Sequence, residues 1–175
     1  RAKLAAQKAK ARTEINAIKA AITQYNSSYN RLPTAPFLRK RLNERNPDIT
    51  YGTFYMRPDG SSQVLTNKRN QRLPQVGNLT PQVPNASNAQ LMAILMDLEV
   101  FPNGMRTQNQ NHSLNHQKIP FLEAKSAPDN IAPGVGQDGV YRDVWGNPYI
   151  ITLDLDYNTK CIDGFYGQAS VSAKA

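Results

Sequence analysis

Leu4, Ala11, Ile15, Ile18, Ile22, Tyr25 and Tyr29 recur at intervals built from threes and fours, which predicts an amphipathic helix of about seven turns. No Ser, Thr or Asp cap precedes Leu4, and the first dozen residues are Ala, Lys, Gln and Arg, all strong helix formers. The helix is therefore expected to begin upstream of Arg1. Leu32-Pro33 is expected to end it, because proline restricts the residue before it and donates no backbone hydrogen bond. About 27 residues at 1.5 Å each make roughly 40 Å, more than one small domain covers, so the N-terminal turns are expected to protrude and pack on a partner.

Beyond Pro33 the pattern breaks into shorter pieces. Residues 33 to 86 are rich in Pro, Asn, Arg and Gln, with a strand predicted from Thr50 to Met56 and turns at Pro58-Asp59-Gly60 and Gly77-Asn78. Ser87 to Gln90 has capping-box spacing, and Leu91, Ile94, Leu95 and Leu98 give one buried face, so Asn88 to Glu99 is read as helix. Residues 103 to 139 are polar and punctuated by Gly and Pro. From Tyr149 to Tyr157 the chain alternates, which predicts a strand with Ile151, Leu153, Leu155 and Tyr157 inward and Thr152, Asp154, Asp156 and Asn158 outward. Val140-Tyr141-Arg142 reads as a second short strand. Asp143 to Pro148 is the turn between them: Asp143 accepts backbone N–H groups, Gly146 takes a positive φ, and Pro148 opens a strand.

Composition alters this picture at one point. The 175 residues suit a single domain, and the net charge of +8 suggests nucleic acid until it is located. Residues 1 to 45 hold eleven Lys and Arg against Glu14 and Glu44, leaving the remainder near neutrality. On the helix, Arg1, Lys8, Arg12 and Lys19 flank one side of the apolar stripe and Lys3 and Lys10 the other, while the far face of Ala2, Ala6, Ala9, Thr13 and Ala20 is small. Small residues allow a second helix to approach, and they are also ordinary exposed helix formers. Cys161 is alone, which excludes an intrachain disulfide, and is expected to be a small buried hydrophobe. No run of about 18 apolar residues is present to span a membrane.

Two segments resemble the type II secretion pseudopilins, members of the wider type IV pilin-like family. One is the helix ending in Tyr25, Tyr29 and Leu32-Pro33. The other is Asp143-Val144-Trp145-Gly146-Asn147-Pro148-Tyr149-Ile150, close to the Asp-Pro-Trp-Gly-Asn-Pro-Tyr signature of the major pseudopilin, with Val144 in place of the usual proline. The resemblance implies an α+β pilin-like fold: a stem helix (1–32) packed on a small antiparallel sheet (140–158), inside a head (33–175) with a variable insertion (34–128). It also implies an apolar, membrane-anchoring segment before Arg1, a methylated mature N-terminus, and a head in the periplasm of a bacterial envelope. The function implied is non-enzymatic assembly into a pseudopilus with copies of itself, other pseudopilins and inner-membrane secretion components. Leu4 and Ala11 would supply the assembly seam, and Arg1, Lys3, Lys8, Lys10 and Arg12 would meet anionic lipid or acidic neighbouring faces. The family's calcium loop carries a Gly-Pro-Asp-Gly type sequence that is absent here.

The remaining chemistry is sparse. Asp154, Asp156 and Asn158 have the 1, 3, 5 spacing of a calcium loop without its glycine or final glutamate. They read either as a solvated strand end or, with Asp163, as a weak calcium site. No other cofactor is expected. His112 and His116 lack a third ligand, and Ser113 lacks a nucleophile's setting. Trp145 is expected to pack on the long helix with its indole N–H bonded to a carbonyl. Two rival readings are a type IV pilin-like subunit for adhesion or DNA uptake and a basic-helix nucleic-acid-binding protein. The second is disfavoured because the basic residues border an apolar seam and lack aromatic stacking partners.

Overall fold

The computed structural model describes residues 2–40, 42, 47–52, 54–56, 62–64, 85–164 and 166. Arg1 and the turns expected at 58–60 and 77–78 lie outside these. The chain is α+β. Helix α1 runs from Ala2 to Tyr29 and a single turn, α2, from Pro36 to Arg39. Strands β1 (Ile49–Tyr51), β2 (Phe54–Met56), β3 (Ser62–Val64) and β4 (Asn85–Ala86) precede helix α3 (Asn88–Leu95). A 3₁₀ turn at Gln110–His112 leads to β5 (Gly134–Val135), β6 (Tyr141–Arg142) and β7 (Ile151–Leu153).

Helix α1 ends one step before the expected signal. Asn30 adopts φ +50°, a left-handed conformation that Asn tolerates, and this stops the helix at Tyr29, ahead of Leu32-Pro33. Its head-facing seam is Gln7, Ala11, Glu14, Ile18, Ala21 and Tyr25, spaced alternately four and three. Ile15 and Leu4, expected in that seam, are instead half exposed, because the head covers a line about one residue round the helix from them.

The expected single sheet is three small ones. β7 pairs antiparallel with β1, β1 pairs parallel with β4, and β2–β3 and β5–β6 form separate antiparallel pairs. The stretch read as an insertion thus supplies two of the three strands of the central sheet. The strand predicted over Thr50 to Met56 divides at Gly52, whose φ of +99° turns β1 out of line with β2.

Helix α3 is shorter than expected and buried almost all round rather than on one face: Asn88, Ala89 and Leu91 to Leu95 are all inside. Only half of the capping box forms. Ser87 Oγ accepts from Ala89 N at 3.2 Å, while the buried Gln90 Oε1 has no partner among the described residues. Asn88 supplies the missing polar anchor. Its Nδ2 donates to the carbonyls of Tyr141 and Tyr149 at 2.9 Å each, and its Oδ1 accepts from Tyr141 N at 3.0 Å. A fully buried amide so saturated fixes the β6 hairpin on the core helix.

Candidate functional site

The two segments that carry the resemblance meet at α1. The Asp143–Pro148 turn forms as its residues dictate: Asp143 Oδ1 accepts from Trp145 N at 2.8 Å and Asn147 N at 2.9 Å, Asp143 N donates to Asn147 O at 2.8 Å, and Gly146 takes φ +85°. Pro148 bridges back to Arg142, placing Tyr149 against the helix. There the Tyr149 hydroxyl donates to Glu14 Oε2 at 2.5 Å, and Lys10 Nζ lies 3.9 Å from Glu14 Oε1. Burial, and then the hydrogen bond to the Glu14 carboxylate, push the Tyr149 hydroxyl well above its ordinary value. Tyr141 packs edge-on to Tyr149, with ring centroids 5.0 Å apart.

The C-terminal end of α1 is held by a second group. Tyr25 donates to Leu114 O at 2.6 Å and Tyr29 to Asn115 Oδ1 at 2.7 Å; Phe121 meets both rings edge-on. Buried Asn115 also donates to the carbonyls of Ile94 and Ile119, so it links α1 to α3 through the polar stretch 103–139. Pro33 is buried, and its carbonyl accepts from Tyr51 at 3.4 Å.

Trp145 departs from expectation. Its indole N–H has no partner among the described residues, and the ring, 36% exposed, stands across a groove from α1 instead of packing on it. The groove encloses about 730 Å³, with Ile15, Ile18 and Ile22 on the helix side and Trp145, Tyr149 and Ile151 opposite. Tyr149 takes the helix-packing role because the tight turn points residues 145 and 149 to different depths.

The acidic loop is also rearranged. β7 ends at Leu153, and Tyr157, expected inward, is 58% exposed. Buried Asp48 is responsible: its two oxygens accept from Leu155 N (3.2 Å) and Ile162 N (2.7 Å), pulling the chain out of the sheet into a loop. Asp48, Asp154 and Asp156 bring carboxylate oxygens within 4.8 Å of one another. Asp163 is not in this group; it accepts from Thr152 Oγ1 at 2.5 Å and from Tyr166 N at 2.7 Å. Asn158 turns its Oδ1 to Lys160 N, and its own N–H is held by Asp154 and Asp156. These contacts are those of a closed loop whose carboxylates already accept hydrogen bonds. Cys161, expected to be buried, is exposed on this loop, and partial desolvation followed by the neighbouring aspartates raises its thiol pKa.

His112 and His116 do not share a helix face. His112 lies between Asp97 Oδ1 (2.8 Å) and Glu99 Oε1 (3.1 Å), whereas His116 is exposed. Ser113 Oγ donates to Gln108 O. Along the stem, Lys3, Lys8, Lys10 and Arg12 are exposed, as are Leu4 and the small face, and Ala11 is buried. No helix among the described residues is long and apolar enough to cross a membrane. Comparison with protein-family models, curated proteins and solved structures returns no match.

Glu14, Asp48, Asn88 and Asn115 escaped the reading of the sequence. Glu14 carried a signal: it is the one acid of α1, and it falls on the seam repeat Ala11, Glu14, Ile18. Asp48 follows a proline and leads directly into Ile49-Thr50-Tyr51, where an acceptor at a strand entrance is a recurrent turn device. The side-chain partners of Asn88 are remote, and Asn115 combines Ile119, four residues on, with the distant Tyr29 and Ile94, so little in the local sequence marks either.

Proposed function

We propose that the protein is a non-enzymatic filament subunit with a pilin-like layout, a pseudopilin of a type II secretion system, whose α1 is the stem and whose remaining residues are the head. One observation carries this reading. Residues 2 to 10 of α1 are exposed on every face, Gln7 alone being half-buried, while the same helix from Ala11 onward is fastened to the head at Glu14, Tyr25 and Tyr29. A helix that nucleates poorly alone gains its stability from packing, so these first turns call for neighbours. The Asp143–Pro148 turn supports the same reading, since it acts as the clamp that holds the stem. Exposed basic residues contribute less than about 1 kcal/mol per ion pair, so they would set register between subunits and leave the bulk of the cohesion to apolar contacts.

The reading needs no calcium at the Asp48, Asp154 and Asp156 loop, whose carboxylates accept backbone hydrogen bonds. The deciding experiment is to express the complete gene product in its own bacterium, shear the cells, and label the sheared material with an antibody to the head. Labelled filaments are expected, and they should disappear when Leu4→Asp is introduced in the stem. Recovery of the protein solely as a monomer in the soluble fraction overturns the reading.

A further inference from the structure

The helix face that walls the groove beneath Trp145 continues toward the N-terminus as far as Leu4. At 3.6 residues per turn, Leu4, Ala11, Ile15 and Ile22 stack along one line of α1, and the last three line the groove. Ile15, Trp145 and Tyr166 are exposed large apolar side chains that line the groove, and Leu4 is another on the same line of the helix. From Leu4 to Ile22 the strip is about 27 Å long at 1.5 Å per residue, the length of five helical turns. Lys8, Arg12 and Lys19 run along one border, all exposed and without an ion-pair partner among the described residues.

We infer that this strip and groove are the docking site for an amphipathic α-helix of another protein whose apolar face is bordered on one side by Asp and Glu. The length and narrowness suit a helix laid into a groove, with anchors at helical spacing. The row of unpaired cations selects the acidic border. A second copy of α1 does not fit, because it would set Lys8, Arg12 and Lys19 against the same cations, and its one carboxylate, Glu14, is held by Tyr149 and Lys10. A flat anionic bilayer does not fit either. The wall carrying Trp145 rises beside the helix and makes the surface concave, so a flat surface cannot reach the apolar side chains at its base. Docking of this kind needs no filament and can be tested on the purified chain.

Trp145 is the sole tryptophan, so its emission reports the groove directly. The probe is a synthetic helical peptide of about 18 residues with Leu at helical spacing and Glu along one flank, long enough to match the strip. A saturable blue shift of Trp145 is expected. Affinity should fall at least tenfold, roughly, in the double variant Arg12→Glu, Lys19→Glu, and weaken steeply with salt as screening predicts. Ile15→Ser, at a half-exposed position that the fold tolerates, should lose binding with unchanged circular dichroism and Tm. An equal response to the same peptide with Lys in place of Glu, or to phosphatidylglycerol vesicles, overturns the inference. So does the absence of any shift, or a Trp145 that is already blue-shifted and shielded from acrylamide in the free protein.

Discussion

The Tyr149 hydroxyl and the Glu14 carboxylate are joined at 2.5 Å, and this bond ties the Asp143–Pro148 turn to the middle of the stem helix. Glu14 is mostly buried, its side chain 17% exposed, and Lys10 at 3.9 Å is too exposed to replace the phenol. Tyr149→Phe is expected to destabilise the fold by about 1–3 kcal/mol, the cost of leaving a desolvated acceptor without its donor. Glu14→Gln retains an acceptor oxygen and should cost less. Urea unfolding of the two variants checks the order.

Alkaline pH should loosen the head. Burial is the leading cause that raises the hydroxyls of Tyr51, Tyr141 and Tyr149, and it takes Tyr141 from 10.0 to about 12. A phenol whose pKa is higher in the folded state ionises first in the unfolded chain. Its contribution to stability is therefore complete below the unfolded value and is lost as pH rises through the folded one. Urea midpoints are expected to hold steady up to about pH 10 and fall toward pH 12, with a shallower fall in Tyr141→Phe.

Two glycines separate backbone strain from collision. Gly52 has φ +99°, and a Cβ there would collide with the carbonyl oxygen of Tyr149; Gly104 has φ +85°, and a Cβ there would meet nothing among the described residues within 4 Å. Gly104→Ala should cost about 1 kcal/mol, the left-handed penalty alone. Gly52→Ala should cost more than about 3 kcal/mol, because backbone must move apart between β1 and Tyr149. Similar losses in thermal unfolding would show that β1 tolerates the displacement.

Asp48 is expected to act through its hydrogen bonds. Asp48→Asn replaces one of the oxygens that accept from Leu155 N and Ile162 N with a donor, an expected loss of about 2 kcal/mol. The loss should be the same in chelator as in calcium. A Tm difference that vanishes in EDTA would assign the carboxylate to a bound ion instead.

Local rules made the turn and both tyrosine positions legible in the sequence, since Asp143, Gly146 and Pro148 act within six residues of one another and Tyr25 and Tyr29 lie on a helical repeat. Strand β7 was legible only as far as Leu153, because alternation continues to Tyr157 while Asp48, over a hundred residues earlier, ends the pairing. The parallel pairing of Thr50 with Asn85 carries no local mark at all. Trp145 failed for a different reason: its size marks it for burial, but the turn gives the helix contact to Tyr149.

The bonds that secure α1 have a temporal meaning. Tyr25 waits for Leu114, 89 residues later, Tyr29 for Asn115, 86 residues later, and Glu14 for Tyr149, 135 residues later. In synthesis α1 precedes all three of these fasteners, which lie at residues 114, 115 and 149. Helix α1 is thus made well before it is fully locked, and a chain stalled before Tyr149 presents a basic helix that still lacks its Glu14 fastener.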